Sequence, residues 1–350
     1  MGSKLLSAGV AALAACWLST AAAQQSAAPL PPDANLTQMQ QQRQQTQPLN
    51  NAPLWKEIRS GVPQTTSLPG RETNVLIQSE GQTWRAARVP IATVGGVVLA
   101  LVVLALIGFY AWRGTIELHS TPTGRLIERF SPVKRITHWS VAISFVVLAV
   151  SGLILTFGKT VLLPLVGYTI FAWLAVLAKN LHNFVGPVFS LVIPVMIVLF
   201  LMENIPRGYD WPWIRKFGGM LDRSGRTHVP SGKFNAGEKA LFWGMVVAVS
   251  LVLIVSGYVL LFPNFDQTRQ TMQTANLVHM IFALIMVAMA LFHIYLGTIG
   301  MRGAYEGMRY GYVDEAWAKE HHEYWYNDVM SGKEPRSTTP APAVIRHRVA

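Results

Sequence analysis

Five apolar runs of about 20 residues each constrain the fold of this chain more than any other feature. A helix of that length crosses the hydrocarbon core of a bilayer, and it satisfies its own backbone hydrogen bonds there. Charged residues make up only 13% of the chain and hydrophobic residues 51%, which favours an all-α integral membrane protein. We place the five crossings at residues 90–112, 136–157, 180–203, 240–262 and 276–300.

The distribution of lysine and arginine indicates how these helices are oriented. Cytoplasmic connections of membrane proteins are enriched in basic residues. The connections on one side hold 5, 7 and 7 of them, at residues 113–135, 204–239 and 301–350, while those on the other side, 158–170 and 263–275, hold 1 each. This predicts a bacterial inner-membrane protein with a periplasmic N-terminus and a cytoplasmic C-terminus. Because this bias accounts for the net charge of +11, and no basic aromatic groove is visible, we expect no nucleic-acid binding.

The N-terminal region has the composition of an exported segment. Residues 1–23 predict a signal peptide cleaved after Ala23, and a lipoprotein-type cut before Cys16 is the alternative. Residues 24–89 begin as a Gln- and Pro-rich linker and end as a more apolar segment, which either docks on a partner or rests on the membrane surface. Cys16 is the only cysteine, so a redox cofactor of the mature chain must be held by histidine or methionine.

The apolar runs divide the rest of the chain into three parts. These are an extra N-terminal transmembrane helix at 90–112, a membrane domain at 113–303 and a cytoplasmic tail at 304–350. The stretch between the second and third crossings is too long and apolar for one span, so we predict an interfacial helix from Tyr168 to Ala178.

Four histidines lie within the crossings, where ionisable side chains are costly and usually functional. In the predicted orientation, His138 and His293 lie towards the cytoplasmic side, and His182 and His279 lie towards the periplasmic side. Fourteen residues separate His279 from His293, so both lie on nearly the same helix face, about 21 Å apart in depth. The four imidazoles therefore predict two b-type haems stacked across the membrane, each bound by histidines from two helices.

Neighbouring residues agree with this interpretation, although each has an ordinary alternative. Gly152 and Gly257, both preceded by Val-Ser, are expected where a flat macrocycle needs a bare helix surface, but close helix packing explains a glycine equally well. Any one membrane histidine is more often a packing residue or part of a proton path. Three basic residues are expected to meet haem propionates or to anchor at the interface: Lys134, Arg135 and Lys179. Five histidines are expected to be solvated: His119, His228, His321, His322 and His347.

Several short motifs together resemble the cytochrome b556 gamma subunit of membrane-bound formate dehydrogenase. The likeness covers residues 125–330, and it rests on Ile136-Thr137-His138-Trp139, Leu181-His182-Asn183-Phe184-Val185-Gly186, Asn204-Ile205-Pro206, Lys233-Phe234-Asn235-Ala236-Gly237-Glu238-Lys239, the paired histidines of the fifth crossing and the Trp317 to Trp325 region. The resemblance implies a four-helix di-haem cytochrome b bundle, to which this chain adds one N-terminal transmembrane helix. It also implies that His182 and His279 bind the outer haem, and that His138 and His293 bind the inner one.

The resemblance further implies the partners and the electron acceptor. In that family a catalytic subunit with a molybdenum or tungsten pterin oxidises formate, an iron–sulfur subunit passes the electrons on, and the gamma subunit delivers them through two b haems to quinone. A quinone pocket beside the inner haem is implied at His293, Asn235 and Gly237, because an amide can hydrogen-bond a quinone carbonyl and a glycine lets the backbone approach. Asn-Ala-Gly is also an ordinary helix start. Glu238 stands where the family pattern has glutamine, which puts the details of proton delivery in doubt.

Three other kinds of protein remain compatible with these residues. A cytochrome b subunit of a membrane-bound hydrogenase would share the haem geometry and differ in its partner, which co-purification identifies. A histidine-lined proton or metal transporter would contain no haem, which a pyridine haemochrome assay tests. A purely structural anchor would keep full quinone reduction after His138→Ala or His279→Ala.

Overall fold

The computed structural model describes residues 77–223, 227–265 and 267–334, with side chains described from residue 84 onward. The predicted signal peptide, Cys16, most of the exported linker and His347 therefore lie outside the described residues. The described residues up to Ala86, together with Thr268–Gln270, belong to a small compact unit. The remaining described residues, from Ala87 onward, belong to a second unit, which contains the candidate site.

Within the described residues, five helices are long and apolar enough to cross a membrane, and each overlaps one predicted crossing. They are α1 (Ile77–Arg113), α2 (Pro132–Val161), α3 (Leu163–Phe200), α5 (Ala236–Leu261) and α6 (Arg269–Gly300). The prediction of an all-α, multi-pass membrane protein is confirmed. Helix α1 begins at residue 77, so residues 77–89, which the sequence assigned to the exported segment, are helical.

The predicted separate interfacial helix at Tyr168 to Ala178 is wrong. Its residues belong to α3, which breaks only at Gly167, where φ is 75° and the backbone is left-handed. No glycine or proline occurs between Ala178 and His182, so nothing ends the helix at the start of the third crossing. Helix α3 is consequently longer than a perpendicular crossing requires.

Side chains from α2, α3, α5 and α6 form the core of the membrane bundle. Its buried members include Val141, Phe189, Ile193, Val246 and Met286. Lipid tails are as apolar as these side chains, so close packing, rather than removal from water, holds the helices together. Helix α5 contains a π-helical segment from Phe242 to Val249, and the Ser250 hydroxyl donates to the Met245 carbonyl at 2.9 Å just after it. Such segments are frequent at functional sites.

Short elements cover the end of the bundle that the charge pattern assigns to the cytoplasm. They are β1 (Leu126–Glu128), α4 (Asp210–Arg215), α7 (Ala304–Tyr310), β2 (Tyr312–Asp314), α8 (Glu315–His321) and α9 (Glu323–Met330). Strands β1 and β2 pair antiparallel, with Ile127 opposite Val313. Trp317, Trp325 and Val329 are buried against this pair. Residues 304–334 of the predicted tail are therefore folded, and we call this assembly the inner cap.

Candidate functional site

Two imidazole rings face each other between the middle of α3 and the N-terminal half of α6. The ring centres of His182 and His279 are 6.0 Å apart, and the rings are inclined at 74°. Each ring has a serine from a neighbouring helix beside it. Ser151 Oγ on α2 lies 2.9 Å from Nδ1 of His182, and Ser256 Oγ on α5 lies 3.0 Å from Nδ1 of His279.

The serines determine which ring nitrogen carries the proton. A hydroxyl has a single hydrogen. Ser151 donates it to the Val147 carbonyl at 2.7 Å, and Ser256 donates it to the Val252 carbonyl at 2.6 Å. Each serine oxygen therefore accepts from a protonated Nδ1, which leaves Nε2 of each imidazole with a free lone pair. This is the arrangement that a histidine needs in order to bind a metal through Nε2.

Each serine is followed by a glycine that lies against the same imidazole. A Cβ added at Gly152 would lie 3.3 Å from Cε1 of His182, and one added at Gly257 would lie 3.3 Å from Cε1 of His279. Both contacts are tighter than ordinary van der Waals distance, so any side chain here would press on the ring. The Val-Ser-Gly sequence that occurs on α2 and on α5 therefore makes the same contacts with an imidazole in both places.

The rings of this outer pair line a cavity of about 280 Å³. Both glycines line it too, together with apolar side chains such as Phe189 and Met286. Its polar lining includes Arg88, Lys179 and Asn276. An apolar cleft with a few converging polar groups is typical of a cofactor site.

The second pair of imidazoles lies towards the other end of the bundle. The ring centres of His138 on α2 and His293 on α6 are 6.1 Å apart and inclined at 56°. Nδ1 of His138 is buried and has no hydrogen-bond partner among the described residues. The two pairs therefore differ, because both outer rings have a serine and His138 has none. The four histidines meet in the combinations that the depth argument predicted, and their role as ligands stays a prediction.

The spacing within each pair fits one metal ion held between two rings. Imidazole nitrogens bind metals at about 2 Å, and each ring centre lies about 1 Å behind its nitrogen, so opposed rings have centres about 6 Å apart. The observed 6.0 and 6.1 Å match this value. Two protein ligands are too few for a tetrahedral zinc site, whereas the iron of a bis-histidine haem needs two axial ligands. The residues present fit b-type haem.

Two residues of the implied quinone pocket, Asn235 and Gly237, lie at the start of α5. Asn235 caps α5, because its side-chain oxygen accepts from the Glu238 backbone N–H at 3.0 Å. Glu238 completes the capping box by accepting from the Asn235 backbone N–H at 2.8 Å, and it also accepts from Arg129 at 3.0 Å. A Cβ at Gly237 would meet the indole of Trp213 at 2.9 Å, so the ring covers this glycine. Asn-Ala-Gly therefore begins a helix, which is the ordinary alternative that the sequence offered. Quinone binding at Asn235, Gly237 and His293 stays a prediction.

The expectation that His321 and His322 are solvated is wrong. Burial lowers the pKa of His321 to about 4, and burial together with the nearby Arg129 guanidinium holds the pKa of His322 well below its usual range. Nδ1 of His322 donates to the Gly232 carbonyl at 2.7 Å, and Nε2 accepts from Arg129 at 3.0 Å. The Trp317 ring lies 5.1 Å from both imidazoles, tilted against each, and this apolar contact buries them in the inner cap.

The other polar-segment histidines pair with carboxylates. His119 Nδ1 is 2.6 Å from Glu320, and His228 Nε2 is 2.7 Å from Glu323. Both histidines remain about half exposed. His119 and His228 therefore fit the expectation of solvated side chains.

The three basic residues expected near propionates lie in different surroundings. Lys134 pairs with Glu203, which also accepts from Lys233 at 2.7 Å. Arg135 donates to the Arg309 carbonyl at 3.1 Å. Lys179 alone of the three lines the outer cavity. Sequence reasoning missed Ser151 and Ser256 as histidine partners, although the repeated Val-Ser-Gly was a signal, and it missed Arg88, for which the sequence carries no signal.

Comparison with known proteins places the matched region over the bundle and the four membrane histidines. A family model described as prokaryotic cytochrome b561 matches residues 129–311. The nitrate-inducible formate dehydrogenase cytochrome b556(Fdn) subunit of Escherichia coli K12 is 30% identical over 207 residues, which cover 59% of this chain and 92% of that protein. The formate dehydrogenase cytochrome b556(fdo) subunit of the same organism is 29% identical over 221 residues, covering 60% and 97%. The formate dehydrogenase cytochrome b556 subunit of Haemophilus influenzae is 27% identical over 217 residues, covering 60% and 85%.

Proposed function

Since the chain belongs to the prokaryotic cytochrome b561 family, we propose that it is the membrane electron-transfer subunit of a formate dehydrogenase complex. It is a multi-pass membrane cytochrome b, and the family implies haem b. The finer proposal is that it carries electrons from an iron–sulfur subunit through two b haems to quinone. In this proposal a separate catalytic subunit with a molybdenum or tungsten pterin oxidises the formate, as the resemblance to the formate dehydrogenase gamma subunit implies.

The observation that carries the proposal is the presence of two imidazole pairs with ring centres about 6 Å apart, at two levels of one bundle. His182 and His279 would hold the outer haem, and His138 and His293 the inner one. Helix α6 supplies one ligand to each pair, and the fourteen residues between them rise about 21 Å. When bound, the two haems supply one-electron transfer between the two sides of the membrane.

The protein's own contribution is positioning and tuning. Ser151 and Ser256 fix the tautomer and the orientation of the outer imidazoles, and an imidazole that donates through Nδ1 is a more basic ligand. A more basic ligand stabilises the oxidised iron, so each serine contact lowers the potential of the outer haem. A lower potential at the outer haem favours electron transfer towards the cytoplasmic side. Moving an electron inward against a negative-inside potential costs about 2.3 kcal/mol per 100 mV, so the redox difference must exceed it.

We place quinone reduction at the cytoplasmic end, beside the inner pair. Glu238 caps α5 and contacts Arg129, so its carboxylate is anchored near the start of this helix. Asn235 uses its side-chain oxygen for the cap, and its amide nitrogen remains the group suited to a quinone carbonyl. His293 completes the pocket in this proposal, and protons are taken up from the cytoplasm.

The test is to purify the intact complex and record the b-type spectrum after adding formate. The proposal predicts two haems per chain, both reduced by formate, and formate-driven quinone reduction that His279→Ala and His293→Ala each abolish. A complex that is reduced by hydrogen but not by formate would assign the chain to a hydrogenase. A folded complex without haem would overturn the proposal and leave a transporter or a structural anchor.

A further inference from the structure

Helix α1 lies outside residues 129–311 that the family model matches, yet it packs directly on the bundle. A Cβ at Gly95 would collide with the Leu284 side chain on α6, and one at Gly96 would lie 3.1 Å from the Phe157 ring on α2. Two adjacent glycines thus let α1 approach two helices of the bundle. Nearer the other end, the rings of Phe109 and Tyr110 both contact Tyr295 of α6. The helix is therefore held in a defined register.

This register places the Arg88 side chain of α1 beside the outer cavity. Arg88 lies seven residues before Gly95, which is about 10 Å along the helix, and Asn276 lies eight residues before Leu284, which is about 12 Å. Gly95 and Leu284 are in contact, so Arg88 and Asn276 lie at similar depths. Both residues line the cavity that contains His182 and His279.

Two polar residues of the cavity have the same position relative to the nearest histidine of their helix. Lys179 lies three residues before His182 on α3, and Asn276 lies three residues before His279 on α6. A spacing of three keeps each on its histidine's helix face, one turn further outward. The Asn276 side-chain oxygen is buried and has no hydrogen-bond partner among the described residues. Arg88 adds a second cation from a third helix.

We propose that Arg88 of α1, together with Lys179 and Asn276, binds the carboxylate edge of the outer haem. The inference rests on the proposed haem binding by His182 and His279. Haem b carries two propionates, and two cations with one amide are a suitable donor set for two carboxylates. A guanidinium is the group best shaped to bind a carboxylate through two hydrogen bonds. The extra helix is then a structural part of the haem site as well as a membrane anchor.

The charge of Arg88 gives the proposal a measurable consequence. Reducing a haem adds one negative charge, so a nearby cation favours the reduced form and raises the reduction potential. Removing the charge with Arg88→Gln should shift the reduction equilibrium of the outer haem about tenfold towards the oxidised form, which is about 59 mV for a one-electron couple. Arg88→Lys keeps the charge and should retain most of the wild-type potential.

The experiment is a redox titration of the purified, full-length protein in its complex, with the haem-to-chain ratio measured in parallel. The outer couple is the one that His279→Ala removes. We expect Arg88→Gln to lower the equilibrium constant for reduction of the outer haem about tenfold. The reduction potential of the inner haem should not change. Arg85→Gln is the matched control, because Arg85 is exposed one turn earlier on the same helix, and its loss should shift the outer couple less than twofold.

Each result decides a different question. Two haems with unchanged potentials in Arg88→Gln, or equal shifts in Arg85→Gln, would overturn the role of Arg88 and leave the proposed function intact. Absence of haem from the wild-type complex would overturn the proposed function itself. Should Arg88→Gln not accumulate, Lys179→Gln and Asn276→Leu carry the test. Both variants should lower the reduction potential of the outer haem and leave that of the inner haem unchanged. If neither potential changes, these residues do not bind the carboxylate edge of the outer haem.

Discussion

Removal of the Ser256 hydroxyl should weaken the outer haem site without disturbing the fold of α5. The hydroxyl accepts a hydrogen bond from His279 at 3.0 Å, and Ser256 is buried. Ser256→Ala removes the hydroxyl partner of the ring N–H in apolar surroundings, and loss of this hydrogen bond costs about 1–3 kcal/mol. It also removes a contact that holds the imidazole in its orientation.

The expected magnitude follows from these contacts. Loss of a partner that orients a metal-bound histidine lowers metal affinity about 10–100-fold, which is about 1.4–2.7 kcal/mol and agrees with the cost of the lost hydrogen bond. We therefore expect the outer haem to dissociate about 10–100 times faster from the Ser256→Ala protein. The assay follows haem transfer from the purified complex to an excess of apomyoglobin, in which the inner haem provides an internal reference.

Two variants make the result specific to the histidine contact. Ser250→Ala removes a hydroxyl that is fully buried on the same helix and donates to the Met245 carbonyl instead of contacting a histidine, so it should leave haem release unchanged. Ser256→Thr restores the hydroxyl and should stay within about threefold of wild type, because threonine also bonds the preceding turn of a helix. Wild-type haem retention in Ser256→Ala, or equal losses in Ser250→Ala, would refute the reasoning.

Three further predictions address other parts of the molecule. Gly257→Leu should abolish outer haem binding, since even a Cβ there lies 3.3 Å from the imidazole, whereas Gly108→Leu, where nothing lies within 4 Å, should bind two haems; equal spectra would contradict this. Asn235→Asp keeps a good helix cap but loses the amide donor, so thermal stability should hold while the KM for quinone rises about tenfold; an unchanged KM would remove Asn235 from the pocket. His321 has a folded pKa of about 4 and takes up a proton below about pH 6.5 when unfolded, so lowering the pH from 7 to 5 should reduce hydrogen-exchange protection around Trp325 by at least about 20-fold after correction for intrinsic rates. His321→Gln should lessen that loss about 20-fold and leave the part that comes from His322, whose pKa burial also lowers; an undiminished loss in His321→Gln would contradict this.

The number of membrane crossings and the pairing of the four histidines could be predicted from the sequence because the membrane imposes simple rules. Helix length is fixed by bilayer thickness, orientation by basic residues, and histidine depth by the rise of 1.5 Å per residue. Those rules predict from the sequence alone that His138 pairs with His293 and His182 with His279. The structure places Gly152 and Gly257 against the outer imidazoles, and the macrocycle that the sequence argument assigned to them stays a prediction.

The features that the sequence did not predict depend on contacts between distant segments. The repeated Val-Ser-Gly draws attention to Ser151, but nothing local identifies His182, thirty-one residues later, as its partner, or places Arg88 in the same cavity as Asn276. The inner cap was missed for the same reason, because its pairing of β1 with β2 joins residues almost two hundred positions apart. His321 and His322 look polar in sequence, and only the packing of Trp317 against them explains their burial.

The central claim is that two imidazole pairs each hold one b-type haem in a single bundle. The most direct measurement is the haem content of the purified full-length protein, by pyridine haemochrome, together with the low-spin signals of bis-histidine iron. The account predicts two haems per chain, one of which is lost in His182→Ala and the other in His138→Ala. A folded chain that binds no haem, or that keeps both haems in either variant, would contradict it.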